Sequence, residues 1–216
     1  MTQTKHRGLF ITLEGIDGCG KTLQTKRLKE FLEKKGYSVV VTREPGGTRI
    51  SEKIRSILLD PELDDFNSLT EIYLYLASRA QHVAEIIFPV LNEKKIVVSD
   101  RFADATFAYQ GFGRGLSLEK IKLLNRIACQ GVHPDITFLL DIPVQESVRR
   151  SQKAGKTADR LEQEGNVFLN KVRQGYERLA REEPRRIYKI NGVLPIEEVQ
   201  FLIEKKMKTI LDKGKL

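Results

Sequence analysis

Two cysteines, Cys19 and Cys129, among 216 residues allow one pair at most. That excludes a disulfide framework and fits a reducing compartment, the more so because Cys19 lies in a glycine-rich loop that a bridge would distort. No apolar run approaches the ~20 residues needed to span a membrane. The basic start, residues 1–8, passes straight into the apolar residues 9–13, with no signal-peptide core or cleavage site. These absences predict an unprocessed cytoplasmic protein with no membrane contact. Internal repeats, low-complexity tracts and linkers are also missing, so residues 1–216 are expected to form a single domain. The three histidines, His6, His82 and His133, show no metal-ligand spacing with the cysteines and are assigned no role.

The formal charge is +8, from 37 Lys and Arg against 29 Asp and Glu. Clustered, such a surplus would suit a nucleic acid. Here the bases are dispersed beside acids, as in Lys29-Glu30 and Glu33-Lys34-Lys35, and there is no aromatic-basic stacking motif or recognition helix. No nucleic acid polymer is expected as a partner. The surplus reads as solvated surface, with a minority of arginines gathered at a pocket for an anionic substrate.

The run Gly15-Ile16-Asp17-Gly18-Cys19-Gly20-Lys21-Thr22 fits GxxxxGK[ST] and stands between an apolar β-rich segment and a helical pattern. Its glycines let successive backbone N–H groups turn toward phosphates, Lys21 adds a point charge, and the Thr22 hydroxyl can ligate Mg²⁺. The following helix directs its positive end at the same anion. Nucleoside triphosphate binding follows.

Beyond this loop, β-rich runs at 9–14, 38–43, 96–100, 136–141 and 186–190 alternate with helical patterns. The alternation predicts an α/β fold, a parallel five-stranded sheet flanked by helices, of the P-loop NTPase type. The near-continuous apolar character of the runs suits strands covered on both faces. Four of them end in Glu14, Arg43, Asp100 and Asp141, on the rim where open α/β sheets bind ligands, although Asp141 alone reads more simply as a strand end reaching solvent. Residues 96–100 read as a strand delivering a carboxylate, Asp100, toward Mg²⁺. Arg79 falls among the apolar positions Ile72, Leu76, Val83 and Ile87 of one helix, so its guanidinium either pairs with a structural carboxylate or reaches a substrate. Tyr75, one turn earlier, either stacks on a planar base or belongs to the core. The basic residues 149–160, with Gly155 among them, read as a mobile lid or a solvated loop.

In sum of motifs the chain resembles thymidylate kinases along nearly its whole length. The resemblance rests on the phosphate loop with internal Asp17, the run Arg43-Glu44-Pro45-Gly46-Gly47-Thr48, Asp100-Arg101 followed by Tyr109-Gln110-Gly111, and Asp159-Arg160-Leu161-Glu162 after the basic segment. It implies transfer of the ATP γ-phosphoryl group to thymidine monophosphate, with ATP and Mg²⁺ as cofactors and a homodimer as the assembly. By the same resemblance the loop from Gly15 to Thr22 and Arg149 serve ATP, and Thr22 and Asp100 serve the metal. Asp17, Arg43, Tyr75, Arg79, Arg101, Thr106, Tyr109 and Gln110 serve the acceptor. Arg43 and Arg101 would hold its phosphate, Arg79 and Thr106 the base edge, Tyr75 the ring face and Tyr109 the sugar. The catalytic set is Lys21, Arg101, Asp17, Arg43, Arg149 and Lys153. With no cation among residues 16–19, the lid is left to supply it from Lys153 or Lys156.

Three alternatives stand beside this reading. A kinase for another nucleoside monophosphate needs only a different base pocket. A deoxynucleoside kinase needs a general base, for which Glu14 or Asp17 can be nominated. A slow P-loop switch would transfer to no small acceptor, though no NKxD base-reading sequence is present to make it a GTPase. Cys19, beside Lys21 at a helix start, is expected to have a lowered pKa and to be readily alkylated.

Overall fold

The computed structural model describes residues 8–63, 65–153, 155 and 159–212, residue 162 by its backbone alone. In chain order the elements are β1 (Phe10–Glu14), α1 (Lys21–Lys34), β2 (Val39–Arg43), α2 (Arg49–Leu59) and α3 (Ser68–His82), which continues through a π-helical stretch (Val83–Ile87) into α4 (Phe88–Asn92). Then come β3 (Ile96–Asp100), α5 (Ala103–Thr106) with a second π-helical stretch (Phe107–Gly113), α6 (Leu118–Ala128), β4 (Ile136–Asp141) and α7 (Val144–Lys153). A single 3₁₀ turn (Glu162–Glu164) leads to α8 (Gly165–Glu182), β5 (Ile187–Asn191) and α9 (Ile196–Leu211). Every expected strand is present, its ends within one residue of the sequence reading.

All neighbours in the sheet are parallel, in the order β2-β3-β1-β4-β5. The first strand is therefore central; on one side the chain goes to the edge as β2 and then returns as β3 beside β1, and on the other it moves outward through β4 to β5. The order reverses beside β1, which is where such sheets open a crevice at their carboxyl ends. Burial on both faces, expected of every strand, holds for β1, β3 and β4, whereas the edge strands β2 and β5 are half exposed. An edge strand lacks a neighbour on one side, and Val41 of β2 borders an open groove.

Side-chain alternation divides the core. Phe10 and Val97 join Val83, Ile87, Leu91 and Phe102, while Leu9, Ile11, Ile96 and Val98 join a larger cluster reaching Leu28, Leu32, Ile203 and Met207. Each such side chain taken fully out of water contributes about 1.5–3 kcal/mol. Thr48, Asn67 and Ser117 cap α2, α3 and α6 through their side chains. Helix α1 begins after Gly20 with no side-chain cap, so its first-turn N–H groups are left for an anion.

The helical layer beside the crevice is tied together by one buried carboxylate. Glu71 of α3 accepts hydrogen bonds from Gln110 Nε2 (2.8 Å) and Arg114 Nη2 (2.9 Å) and pairs with Arg160 Nη2 at 2.7 Å. Arg160 is itself buried, donating from Nε to the Leu58 carbonyl at the end of α2 and lying over the Phe66 ring. Burial pushes the Glu71 pKa up, but the bonds from Arg114, Gln110 and Arg160 outweigh it and leave the carboxyl below its ordinary value. Replacing Glu71 with alanine strands Arg160 without its carboxylate and is expected to cost about 3–5 kcal/mol of unfolding free energy by urea denaturation. The difference from wild type should be full above the unfolded glutamate pKa of about 4.3 and close as pH falls through the lower folded value.

Candidate active site

The loop after β1 is shaped by close approach. Gly15 has φ +137°, and a Cβ there would stand 2.5 Å from the Leu140 carbonyl oxygen, so only glycine fits. Lys21 Nζ donates to the carbonyls of Gly15 (2.9 Å) and Ile16 (3.1 Å) and lies 3.7 Å from Asp17. Thr22 Oγ1 donates to Asp100 Oδ2 at 2.9 Å. The pairing of Leu13 with Asp100 across β1 and β3 creates that meeting. A hydroxyl and a carboxylate converging at a helix start are hard oxygen donors of the kind Mg²⁺ takes, with phosphate oxygens completing its shell, so these residues fit the expected ion.

Two depressions meet at this rim. One is an open groove lined by Gly18, Gly20, Lys21, Thr22, Arg43 and Asp100, among others. The other is walled by Tyr75 and Arg79 of α3, by Thr106, Tyr109 and Gln110, and by Glu44 and Pro45. Asp17, Glu44, Arg55, Arg101 and Asp159 line both. All the residues expected at the acceptor lie in the second pocket except Arg43, which lines the groove and pairs with Glu52 at 2.8 Å.

Arg79 pairs with a structural carboxylate and also lines the pocket. It is 1% exposed and donates from Nε to Glu44 Oε2 (2.8 Å), from Nη1 to Asn125 Oδ1 (2.6 Å) and from Nη2 to the Phe102 carbonyl (3.1 Å). Three of its five N–H groups are thereby held and two remain for the pocket it lines. Glu44 is fixed on its other oxygen by His82, Nδ1 to Oε1 3.0 Å, whose Nε2 lies 2.6 Å from Thr42 Oγ1. His82, given no role from sequence, thus braces Glu44. Thr106 Oγ1 is buried and has no hydrogen-bond partner among the described residues, and an orphaned hydroxyl on a pocket wall suits a ligand. Gln110 gives its amide nitrogen to Glu71, leaving the carbonyl oxygen as its acceptor.

Arg101 sits at the junction, 13% exposed, with Nη2 on Asp17 Oδ1 at 2.8 Å and its guanidinium over the Tyr109 ring. Glu14, nominated as a general base, is fully buried and lines neither pocket. Burial and the Asp104 charge push its pKa up to about 8 against the opposing pull of Arg101. Asp141 likewise stands apart, held by Arg173 and Lys189.

The lid residues divide. Residues 149–153 are the end of α7 rather than loop, and 154 and 156–158, including Lys156, lie outside the described residues. Arg149 turns outward, 62% exposed and bidentate to Glu146, and lines neither pocket, nor does the exposed Lys153. Arg150 lines the groove instead, donating to the carbonyls of Gly18 (3.3 Å) and Gly192 (3.1 Å). Arg150 and Arg55 are the site cations that sequence reasoning missed, and Glu44 and Asp159 also line both depressions without having been assigned there. For Arg55, whose Nη1 donates to the Pro45 carbonyl, the available signal was its place two turns into the helix that follows the Arg43–Thr48 run.

A family model described as Thymidylate kinase matches residues 13–203. A thymidylate kinase of Caldanaerobacter subterraneus subsp. tengcongensis is 49% identical over 97% of this chain and 100% of its own length. One of Desulfosudis oleivorans is 51% identical over 88% of this chain and 92% of its own. The crystal structure of thymidylate kinase from Ehrlichia chaffeensis superposes with a TM-score of 0.76 at 36% identity, covering 93% of this chain and 98% of that one.

The Cys19 expectation is corrected. The thiol is 3% exposed, and burial raises its pKa more than Lys21 and Arg101 lower it. Cys129 is buried too and pushed up to about 11. Iodoacetamide at neutral pH should therefore leave both thiols unmodified in the folded protein, by mass spectrometry, during an exposure that alkylates both in urea.

Proposed function

Because the chain belongs to the thymidylate kinase family and transfers the ATP γ-phosphoryl group to thymidine monophosphate, we propose that its groove takes ATP, its walled pocket takes the monophosphate, and Arg101 serves the phosphate at their junction. The product is thymidine diphosphate, on the way to dTTP. The observation that carries the division is the set of residues common to both depressions, headed by Asp17 and Arg101.

In the acceptor pocket the two spare N–H donors of Arg79 face the thymine O4, the unpartnered Thr106 hydroxyl bonds the same edge, and the Gln110 carbonyl accepts from N3–H. Tyr75 packs on the ring and Tyr109 against the C2′ side of the sugar. Asp17 holds the sugar side while it orients Arg101. At the junction Arg101 and Arg55, with Arg43 at the groove edge, neutralise the acceptor phosphate. That phosphate has a second pKa of about 6 and attacks without a general base, consistent with a Glu14 that faces neither pocket. Catalysis is then positioning and charge neutralisation. Backbone N–H groups from Gly15 to Thr22 and the Lys21 ammonium cradle the donor phosphates, Lys21 exchanging its carbonyl partners for them. Thr22 and Asp100 would hold Mg²⁺, which would supply positive charge to offset that of the transferring phosphoryl group. Arg150 takes the donor-side role that the resemblance gave to Arg149. Lys153, exposed at the end of α7 and lining neither pocket, is given no role, and residues 1–216 are read as one domain.

We assign the protein to the cytoplasm; among the described residues no helix is long and apolar enough to cross a membrane. A homodimer is supported by exposed apolar side chains on neighbouring helices, Leu69 and Tyr73 of α3, Phe88 of α4, and Leu123 and Ile127 of α6.

Incubated with Mg-ATP and a panel of thymidine, deoxyuridine, uridine and adenosine monophosphates and thymidine, the enzyme should prefer thymidine monophosphate and release its diphosphate in step with ADP. ADP without a phosphorylated acceptor would contradict the assignment. Arg101→Ala should lower kcat by about 10²-fold or more, the scale of losing a charge-stabilising donor. Its KM for ATP should stay within about threefold of wild type, because the lost contact is made on the acceptor side. Equal loss of both would argue against that role.

A further inference from the structure

Arg101 is held in a conformation that an arginine avoids, with φ +73°, and a non-glycine residue kept in the left-handed region costs of order 1–3 kcal/mol unless its surroundings fix it. The fixing groups are identifiable. The Arg101 amide donates to the Leu13 carbonyl (3.0 Å), Ser99 Oγ donates to the Arg101 carbonyl (2.7 Å), and the amide of Phe102 donates to Glu14 Oε1 (2.7 Å). At the far end of the side chain, Nη1 donates to the Gly15 carbonyl (2.8 Å) and to Tyr176 Oη (3.1 Å), and Nη2 to Asp17 Oδ1 (2.8 Å) and Tyr109 Oη (3.2 Å). Tyr176 Oη in turn donates to Glu14 Oε2 at 2.8 Å.

These bonds close a ring. One carboxyl group grips the backbone just after Arg101 and, through a tyrosine from α8, the guanidinium of the same residue. Neither Glu14 nor Tyr176 lines the groove or the walled pocket, and both are buried, so neither is placed to touch substrate there. In either protonation state Glu14 keeps acceptor capacity at both oxygens. We infer that Glu14 and Tyr176 are positioning residues that clamp Arg101, main chain and side chain together, in the conformation that presents it to the junction of the two pockets. The inference rests on the reading of Arg101 as the junction cation.

Tyr176→Phe keeps the ring and its edge contact with Tyr109 and removes the hydroxyl that joins Arg101 to Glu14. Since displacement of a reacting group by about 1 Å can cost up to 10²-fold in rate, kcat for thymidine monophosphate phosphorylation should fall by about 10-fold or more. KM for ATP should be unchanged, in assays run well below the variant's own melting temperature. The double variant Arg101→Ala/Tyr176→Phe should be no slower than Arg101→Ala alone. A merely structural tyrosine would lower the melting temperature and leave kcat of the folded protein within about twofold, and its loss would multiply with that of Arg101→Ala; either result overturns the clamp. If Tyr176→Phe does not fold, Glu14→Gln replaces it. Its carbonyl still accepts from the Phe102 amide, but its nitrogen can only donate to Tyr176 Oη. That leaves the Tyr176 O–H without its acceptor and competes with Arg101 Nη1 for the same oxygen, so the same fall and the same lack of multiplication are expected. If neither variant folds, the pair is a folding element and the inference is overturned. Should Arg101→Ala itself retain full kcat, the junction reading fails and the clamp with it, whereas a crippled Arg101→Ala beside an unimpaired Tyr176→Phe sinks the clamp alone.

Discussion

The site depends on the parallel pairing of β1 with β3. That register sets Leu13 opposite Asp100, and so brings the loop of Gly15 to Thr22 alongside Asp100-Arg101 although the two are some 80 positions apart in the chain. Slipping a strand by one residue turns each side chain to the other face, and the core forbids it, because Phe10 and Val97 belong to one cluster while Ile11 and Val98 belong to another. Hydrophobic burial thus fixes the geometry of a hydroxyl–carboxylate pair it never touches.

Around that frame the protein manages cations by pairing them in advance. Arg43 is held by Glu52, Arg79 by Glu44, Arg101 by Asp17, and Arg150 by Glu146. A buried guanidinium without a carboxylate would be strongly destabilising, and one with a partner is roughly neutral to stability, so these pairs contribute orientation more than energy. Arg101 and Asp17 show the arrangement best: the carboxylate neutralises the arginine and holds its side chain where the two depressions meet.

How much of this could be read from the chain follows from the range of the signals. Strands, the phosphate loop and the Asp100 carboxylate are local patterns, and they were legible to within a residue. The residues expected at the acceptor, Arg43 apart, fall in one pocket, and they were legible because their motifs are compact. Arg149 and Arg150 were not separable, since neighbours on a helix diverge by about 100° and which one faces the groove depends on how α7 lies against the Gly18 loop. Glu71 acts through partners from distant elements, and a buried carboxylate with three donors has no local signature. Cys19 misled because proximity to a helix start and a lysine suggests a reactive thiol, while the competing effect, burial, is a property of the packed fold.

The central place of β1 has a consequence for how the chain assembles. Emerging first, it has no hydrogen-bonding neighbour until β3 at Ile96–Asp100 and β4 at Ile136–Asp141 follow. Such non-local strand pairing must pay loop-closure entropy before any contact rewards it. During synthesis the apolar strand before the phosphate loop therefore waits, unpaired on one flank until Asp100 has been made and on the other until Asp141, so the loop is made long before the strands that hold it in place.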